Sequence, residues 1–181
     1  MGSPRRRSVT RTFRLFEDVN EAISKRAEEE KISVSAYLNR VLMEHFEWER
    51  ATKGFGMAVI TDVLYKRLIE KLDNESVGDL GRERGAEVAK NVRLAHSDIS
   101  EVHDYLSLLK HIYDKSAAVS NYELKTVGDA EVLTFEHHLG DKWSILMANY
   151  FTAFVKGIEP KASIKTNYTD RVVSLEIRVK D

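Results

Sequence analysis

The sequence predicts an α+β protein in two parts, and three observations carry that prediction. Apolar side chains recur at helical spacing from Glu17 to Arg50 and again over residues 62–115. Beyond Ala118 the spacing changes to two, broken by turn residues at Gly128-Asp129 and Thr169-Asp170. Between the helical regions, Ala51 to Gly56 carries Gly54 and Gly56 and reads as a hinge. The expected domains are therefore 1–50 and 57–181, joined by a hinge at 51–56.

In the first part, Thr10 to Leu15 alternates: Phe13 and Leu15 face one way, while Thr10, Thr12 and Arg14 face the other. That is a short strand. Glu17 and Asp18 suit the positive end of a first helix, which carries Val19, Ile23 and Ala27 at four-residue spacing. Ser33 is an N-cap for a second helix with Val34, Tyr37, Leu38, Val41, Leu42 and Phe46 on one stripe. One strand and two amphipathic helices bury too little surface alone, so a homodimer is expected, with possible further pairing to a tetramer.

This stretch resembles the ribbon-helix-helix DNA-binding family, through Thr10, Thr12 and Arg14 alternating with Phe13 and Leu15, the run EDVNEAI, and the ISVSAYL start of the second helix. The resemblance implies an intertwined dimer whose paired ribbon enters the major groove of double-stranded DNA, with Thr10, Thr12 and Arg14 reading bases. It also implies that Ser33, Val34 and Ser35 clamp a phosphate through backbone N–H groups. Charge points the same way. Arg5, Arg6, Arg7, Arg11 and Arg14 lie in the first 16 residues without an acid, although the whole chain is formally only -1. Such an arm suits phosphates. A solvated ribbon serving only dimerisation is the structural alternative.

At 181 residues and 43% hydrophobic content, there is chain enough for one further globular domain. No cysteine is present, which excludes disulfides, zinc-thiolate sites and a thiol nucleophile, and suits a cytoplasmic protein. No apolar run approaches the ~20 residues that cross a bilayer, so no membrane partner is expected.

In the second part, Met57 to Ile60 reads as a strand and Thr61 as the cap of a helix bearing Val63, Leu64, Leu68 and Leu72. Ser76 with Asp79 reads as a capping box for a longer helix, where Gly81 and Gly85 allow close approach beside Val77, Leu80, Val88 and Val92. Another helix spans about Asp98 to Lys115. Tyr122, Leu124 and Thr126 then form a hairpin with Glu131 to Leu139, whose Leu133, Phe135 and His137 share a face. Asp141 opens an aromatic-rich helix, and Ala162 to Tyr168 pairs with Arg171 to Val179. Helices followed by strand-strand-helix-strand-strand predict a mainly antiparallel sheet.

That order, with DLGRERGAEVAK at 79–90 and the pattern from ANYFTAFVKGIEP to VVSLEIRV, resembles the 4-vinyl-reductase-type domain, related to nitric-oxide-binding and vesicle-tether domains. The resemblance implies a pocket for a small hydrophobic or aromatic effector; the zinc site that accompanies such domains uses cysteines, which this chain lacks. Candidate lining residues are Tyr105, Tyr122, Trp143, Tyr150, Phe151 and Phe154, with ordinary core packing as the competing reading.

His137 and His138 are strand neighbours on opposite faces, so they do not share one ion without a bulge. No HExxH spacing is present, no metal site or cofactor is expected, and His137 reads as a buried hydrogen-bonded group. No nucleophile elbow, phosphate loop or Rossmann glycine pattern supports catalysis, so the chain is expected not to be an enzyme. The expected function is a sequence-specific DNA-binding transcriptional regulator with a ligand-sensing second domain. An antitoxin-like interaction module and an effector-free architectural DNA binder are the alternatives.

Overall fold

The computed structural model describes residues 9–52, 61–114 and 119–179, which hold six helices and four strands. The chain divides into two compact units, Met1–Phe46 and Glu47–Asp181.

In the first unit, α1 (Glu17–Glu29) and α2 (Val34–Thr52) begin where the sequence predicts. Ser33 Oγ accepts the Ala36 N–H at 3.1 Å, as an N-cap should. Lys31 takes a left-handed φ of 56° between the helices. There Ile32 N–H bonds Ala27 O at 3.0 Å and Lys31 N–H bonds Glu28 O at 3.0 Å, the paired bonds of a Schellman helix end. Arg40 then grips the Glu30 carboxylate with Nη1 and Nη2 of its guanidinium and holds its pKa below the usual range.

The predicted strand at Thr10 to Leu15 is not formed within one copy of the chain. Residues 9–16 form no strand, and their side chains are exposed, with Phe16 at 81%. An extended segment joins a sheet only when a neighbour supplies the ladder bonds, and no described residue does so here. The ribbon half of the expected ribbon-helix-helix is therefore not found. Ala27 is the one buried side chain among described residues 9–46.

In the second unit, Thr61 caps α3 (Asp62–Glu70), and Asp73 caps α4 (Asn74–Ala95) through the Ser76 N–H at 2.7 Å. The Ser76-Asp79 capping box is corrected: an earlier carboxylate starts the helix, leaving Ser76 inside it. The helix α5 (Val102–Tyr113) is shorter at both ends than predicted. The expected strand at 57–60 and most of the 51–56 hinge lie outside the described residues, and Ala51 and Thr52 belong to α2.

The strands are β1 (Val119–Val127), β2 (Ala130–His137), β3 (Ser163–Tyr168) and β4 (Val172–Arg178), in an antiparallel sheet ordered β1-β2-β4-β3. Gly128, at φ 64°, makes the first hairpin turn. Alternation sets the faces: Leu133, Phe135, His137, Val173, Leu175 and Ile177 are buried on one side. Against that side lies α6 (Asp141–Ile158), with α5 over β1, and α4 packs on the far side of α6. The α4–α6 contact is backbone to backbone at Gly81 and Gly85, where an added Cβ would stand 2.4 Å from Leu146 O and 2.2 Å from Tyr150 O. The α+β class and antiparallel sheet are as the sequence predicts.

Candidate functional site

The helix α6 begins at Gly140, whose φ of 88° turns the chain sharply off β2, and Trp143 N–H closes the first turn on Gly140 O at 3.1 Å. That turn drives the Trp143 indole onto the buried face of β2. It stacks on Phe135 at 5.0 Å between ring centroids and tilts against His137 at 4.4 Å. Phe135 also meets Tyr113 and Phe151 edge-on, at 5.0 and 5.6 Å. Such tilted pairs contribute beyond the area they bury.

His137 sits in this cluster at 3% exposure. Leu139 N–H donates to its Nδ1 at 3.2 Å, so Nδ1 is bare and Nε2 carries the proton, which it donates to Ser144 Oγ at 2.8 Å. A proton added at Nδ1 has to break the Leu139 bond. Burial, with a smaller contribution from His138, pushes the His137 pKa down to about 4, so the ring is neutral near neutrality.

Trp143 Nε1 is buried and has no hydrogen-bond partner among the described residues. Tyr65 on α3 is its polar neighbour: burial raises the Tyr65 pKa and the indole lowers it by less, yet the pair does not meet hydrogen-bond geometry. A buried donor left unmet costs roughly 1–3 kcal/mol. Around it, burial pushes the phenols of Tyr113, Tyr122 and Tyr150 upward, so all three stay protonated. The helix carrying Tyr65 is tied at both ends, by His138 Nε2 to Asp62 Oδ2 at 3.1 Å and by Lys142 Nζ to Glu70 O at 3.1 Å and to Leu72 O.

Of the predicted pocket residues, Tyr122, Trp143, Tyr150, Phe151 and Phe154 fall in this aromatic core. Tyr105 is buried in the same core and donates its hydroxyl to Ile99 O at 3.0 Å. Sequence reasoning missed Tyr65 and the Ser144 partner of His137; their pairings span elements and leave no local signal. A separate open groove of about 360 Å³ lies between α5 and β1, lined by His103, Ser107, Lys110, Asn121, Tyr122, Glu123 and Leu124. His103 Nδ1 is held there by Glu131 Oε2 at 2.9 Å. Among the described residues, no three His, Asp or Glu side chains converge as metal ligands.

In the first unit, Thr10, Arg11, Thr12 and Arg14 are exposed on the unpaired segment, and Arg5, Arg6 and Arg7 lie outside the described residues. Ser33 caps α2, Val34 is its first residue, and Ser35 O accepts from Asn39 Nδ2 at 2.8 Å. No described helix is long and apolar enough to cross a membrane.

No protein family matches the sequence, and no curated protein does. Among solved structures, a doubly substituted Tt H-NOX domain is similar at 17% identity and a TM-score of 0.45, over 78% of this chain and 89% of that one. At that identity and score the likeness assigns no ligand or activity to this chain. The expectation of a sequence-specific DNA-binding transcriptional regulator is corrected. No ribbon-helix-helix or DNA-binding protein is matched, and the base-reading ribbon is not formed by the described residues. The 4-vinyl-reductase-type family is likewise not matched.

Proposed function

We propose that the chain is a cytoplasmic, non-enzymatic, self-associating sensor, and that its second unit binds a small apolar or aromatic effector beside Trp143. The supporting observation is the buried indole N–H, which has no acceptor among the described residues although aromatic rings crowd around it. An aromatic effector bearing a carbonyl or phenolate oxygen supplies that acceptor, while its ring packs on Phe135 and Tyr65. The neutral imidazole and protonated phenols offer hydrogen bonds and no strong base, so the surroundings favour binding over catalysis.

The test is a thermal-shift screen of the whole protein with acetophenone, 4-hydroxybenzaldehyde and indole. The two acceptor-bearing probes are expected to raise the melting temperature by about 5 °C near saturation, and indole, which lacks a comparable acceptor, by much less. Trp143→Phe keeps an aromatic ring and deletes the donor, so it should abolish the difference between probes, while the smaller ring lowers basal stability by about 1–3 kcal/mol. Equal shifts from all three probes, or none from any, contradict the reading.

Self-association rests on the first unit. Phe13, Phe16, Leu42 and Phe46 are all exposed, Phe46 at 61%, while Ala27 is buried. Two helices with open apolar stripes gain by burying them on a second copy. Sedimentation velocity should therefore find a dimer whose affinity falls roughly ten- to hundredfold in Phe46→Glu. A wild-type monomer at high micromolar concentration sinks this part of the proposal.

A further inference from the structure

The Trp143 indole is 4% exposed, so a molecule from solvent reaches its N–H only if part of the surrounding shell moves. The ring lies on α6 and meets β2 at Phe135 and His137 and α3 at Tyr65. β2 is hydrogen-bonded on both sides, to β1 and β4, and α6 meets α4 backbone to backbone at Gly81 and Gly85. Neither yields without breaking the sheet or the core. α3 is held differently. It packs chiefly on α6 and turns Ile69 and the partly buried Tyr65 inward, while Val63, Leu64 and Leu68 are exposed.

The two ends of α3 are fastened unequally. At its last turn, Lys142 Nζ donates to Glu70 O, at 3.1 Å, and to Leu72 O. There the chain passes straight into the Asp73 cap of α4, whose carboxylate accepts the Ser76 N–H at 2.7 Å. At its start the tie is His138 Nε2 to Asp62 Oδ2 at 3.1 Å, between side chains that are both well exposed. We propose that α3 is a lid over the effector site, pivoting at Leu72 and latched at its start by the His138–Asp62 hydrogen bond. Opening withdraws Tyr65 from Trp143 and uncovers the indole N–H, with β2 and α6 left in place. Water competes for a bond between exposed side chains, so the latch releases without unfolding the core. Closing returns Tyr65 and Ile69 to the apolar shell and excludes water from a bound effector. Latch strength then sets how fast an effector enters and leaves. The lid rests on the effector reading for its purpose, but its opening is measured with no effector present.

The test uses the full chain in a Trp48→Phe background, where Trp143 is the remaining tryptophan, and follows fluorescence quenching by acrylamide. Quenching of an enclosed ring tracks the population of the open form. His138→Ala should raise the quenching constant about two- to fivefold, whereas His138→Gln, which keeps an amide donor for Asp62, should hold the wild-type value. The Thr61 cap and the Asp62 bond to the Val63 N–H remain in both variants, so α3 keeps its own start. Arg178→Met removes another exposed tie, to Asp129, and should leave quenching unchanged. On mixing with 4-hydroxybenzaldehyde, entry and release should both quicken in His138→Ala by the factor seen in quenching. Equal quenching in wild type and His138→Ala, or an equal rise in Arg178→Met, overturns the lid. A rise confined to His138→Ala, with no form binding 4-hydroxybenzaldehyde, upholds the moving helix and overturns the effector reading instead.

Discussion

Gly85→Ala is expected to cost about 3 kcal/mol or more, read as a lower denaturant midpoint. The new methyl would sit 2.2 Å from Tyr150 O and 3.0 Å from Phe154 N, both backbone atoms of α6 that no rotamer change can move. Helices usually pack about 8–10 Å apart, and glycines let α4 and α6 press main chain on main chain. Gly78→Ala is the control on the same helix. Its methyl would meet Arg82 Nη1 at 3.3 Å and Asn149 Nδ2 at 3.5 Å, hydrogen-bonded side-chain ends that can give by a few tenths of an ångström where backbone cannot. Because alanine is the better helix former by about 1 kcal/mol, Gly78→Ala should be neutral or slightly stabilising. If the two variants lose equal stability, close approach does not govern the α4–α6 contact.

Acidification is the second large effect. The His137 pKa is about 4 in the folded chain against an ordinary 6.5. Between those values the unfolded chain binds a proton that the folded one refuses, so stability is full above the upper value and falls as pH drops toward the lower. The loss from pH 7 to pH 4 is about 3 kcal/mol if this histidine acts alone. The lowered carboxylates of Glu30, Asp62 and Asp73 start from 4.5, 3.8 and 3.8, so their own losses begin at the acid end of this window. Stability measured from about pH 6.5 to 4.5 therefore reports mainly the imidazole. His137→Gln retains a donor toward Ser144 and should flatten that slope, while lowering neutral-pH stability by roughly 1–3 kcal/mol through the lost Leu139 contact. A variant with an unchanged slope would place the titration elsewhere.

Most of the second unit was legible because its signals are local. The period-two runs, the Gly128 turn and the apolar face of β2 follow from side-chain alternation, and Gly81 and Gly85 stand out within an apolar helix stripe. Helix starts were harder where two caps competed: Asp73 and Ser76 lie three residues apart, and the carboxylate won. The ribbon is not shown: alternation from Thr10 to Leu15 meets the side-chain requirement of a strand, but its ladder was expected from a second copy, and within one copy the segment is unpaired. At the candidate site the aromatic residues were readable one by one. Their arrangement was not, because the Ser144 bond to His137 and the place of Tyr65 beside Trp143 depend on how β2, α3 and α6 meet.

The most direct measurement is the nitrogen-15 spectrum of the Trp143 indole N–H, assigned by comparison with Trp48→Phe and titrated with 4-hydroxybenzaldehyde. The account predicts a resonance that lacks a hydrogen bond in the free protein, moves downfield on titration and becomes protected from solvent exchange. An indole signal unmoved at saturating probe, or already hydrogen-bonded before any is added, would contradict an effector site at Trp143.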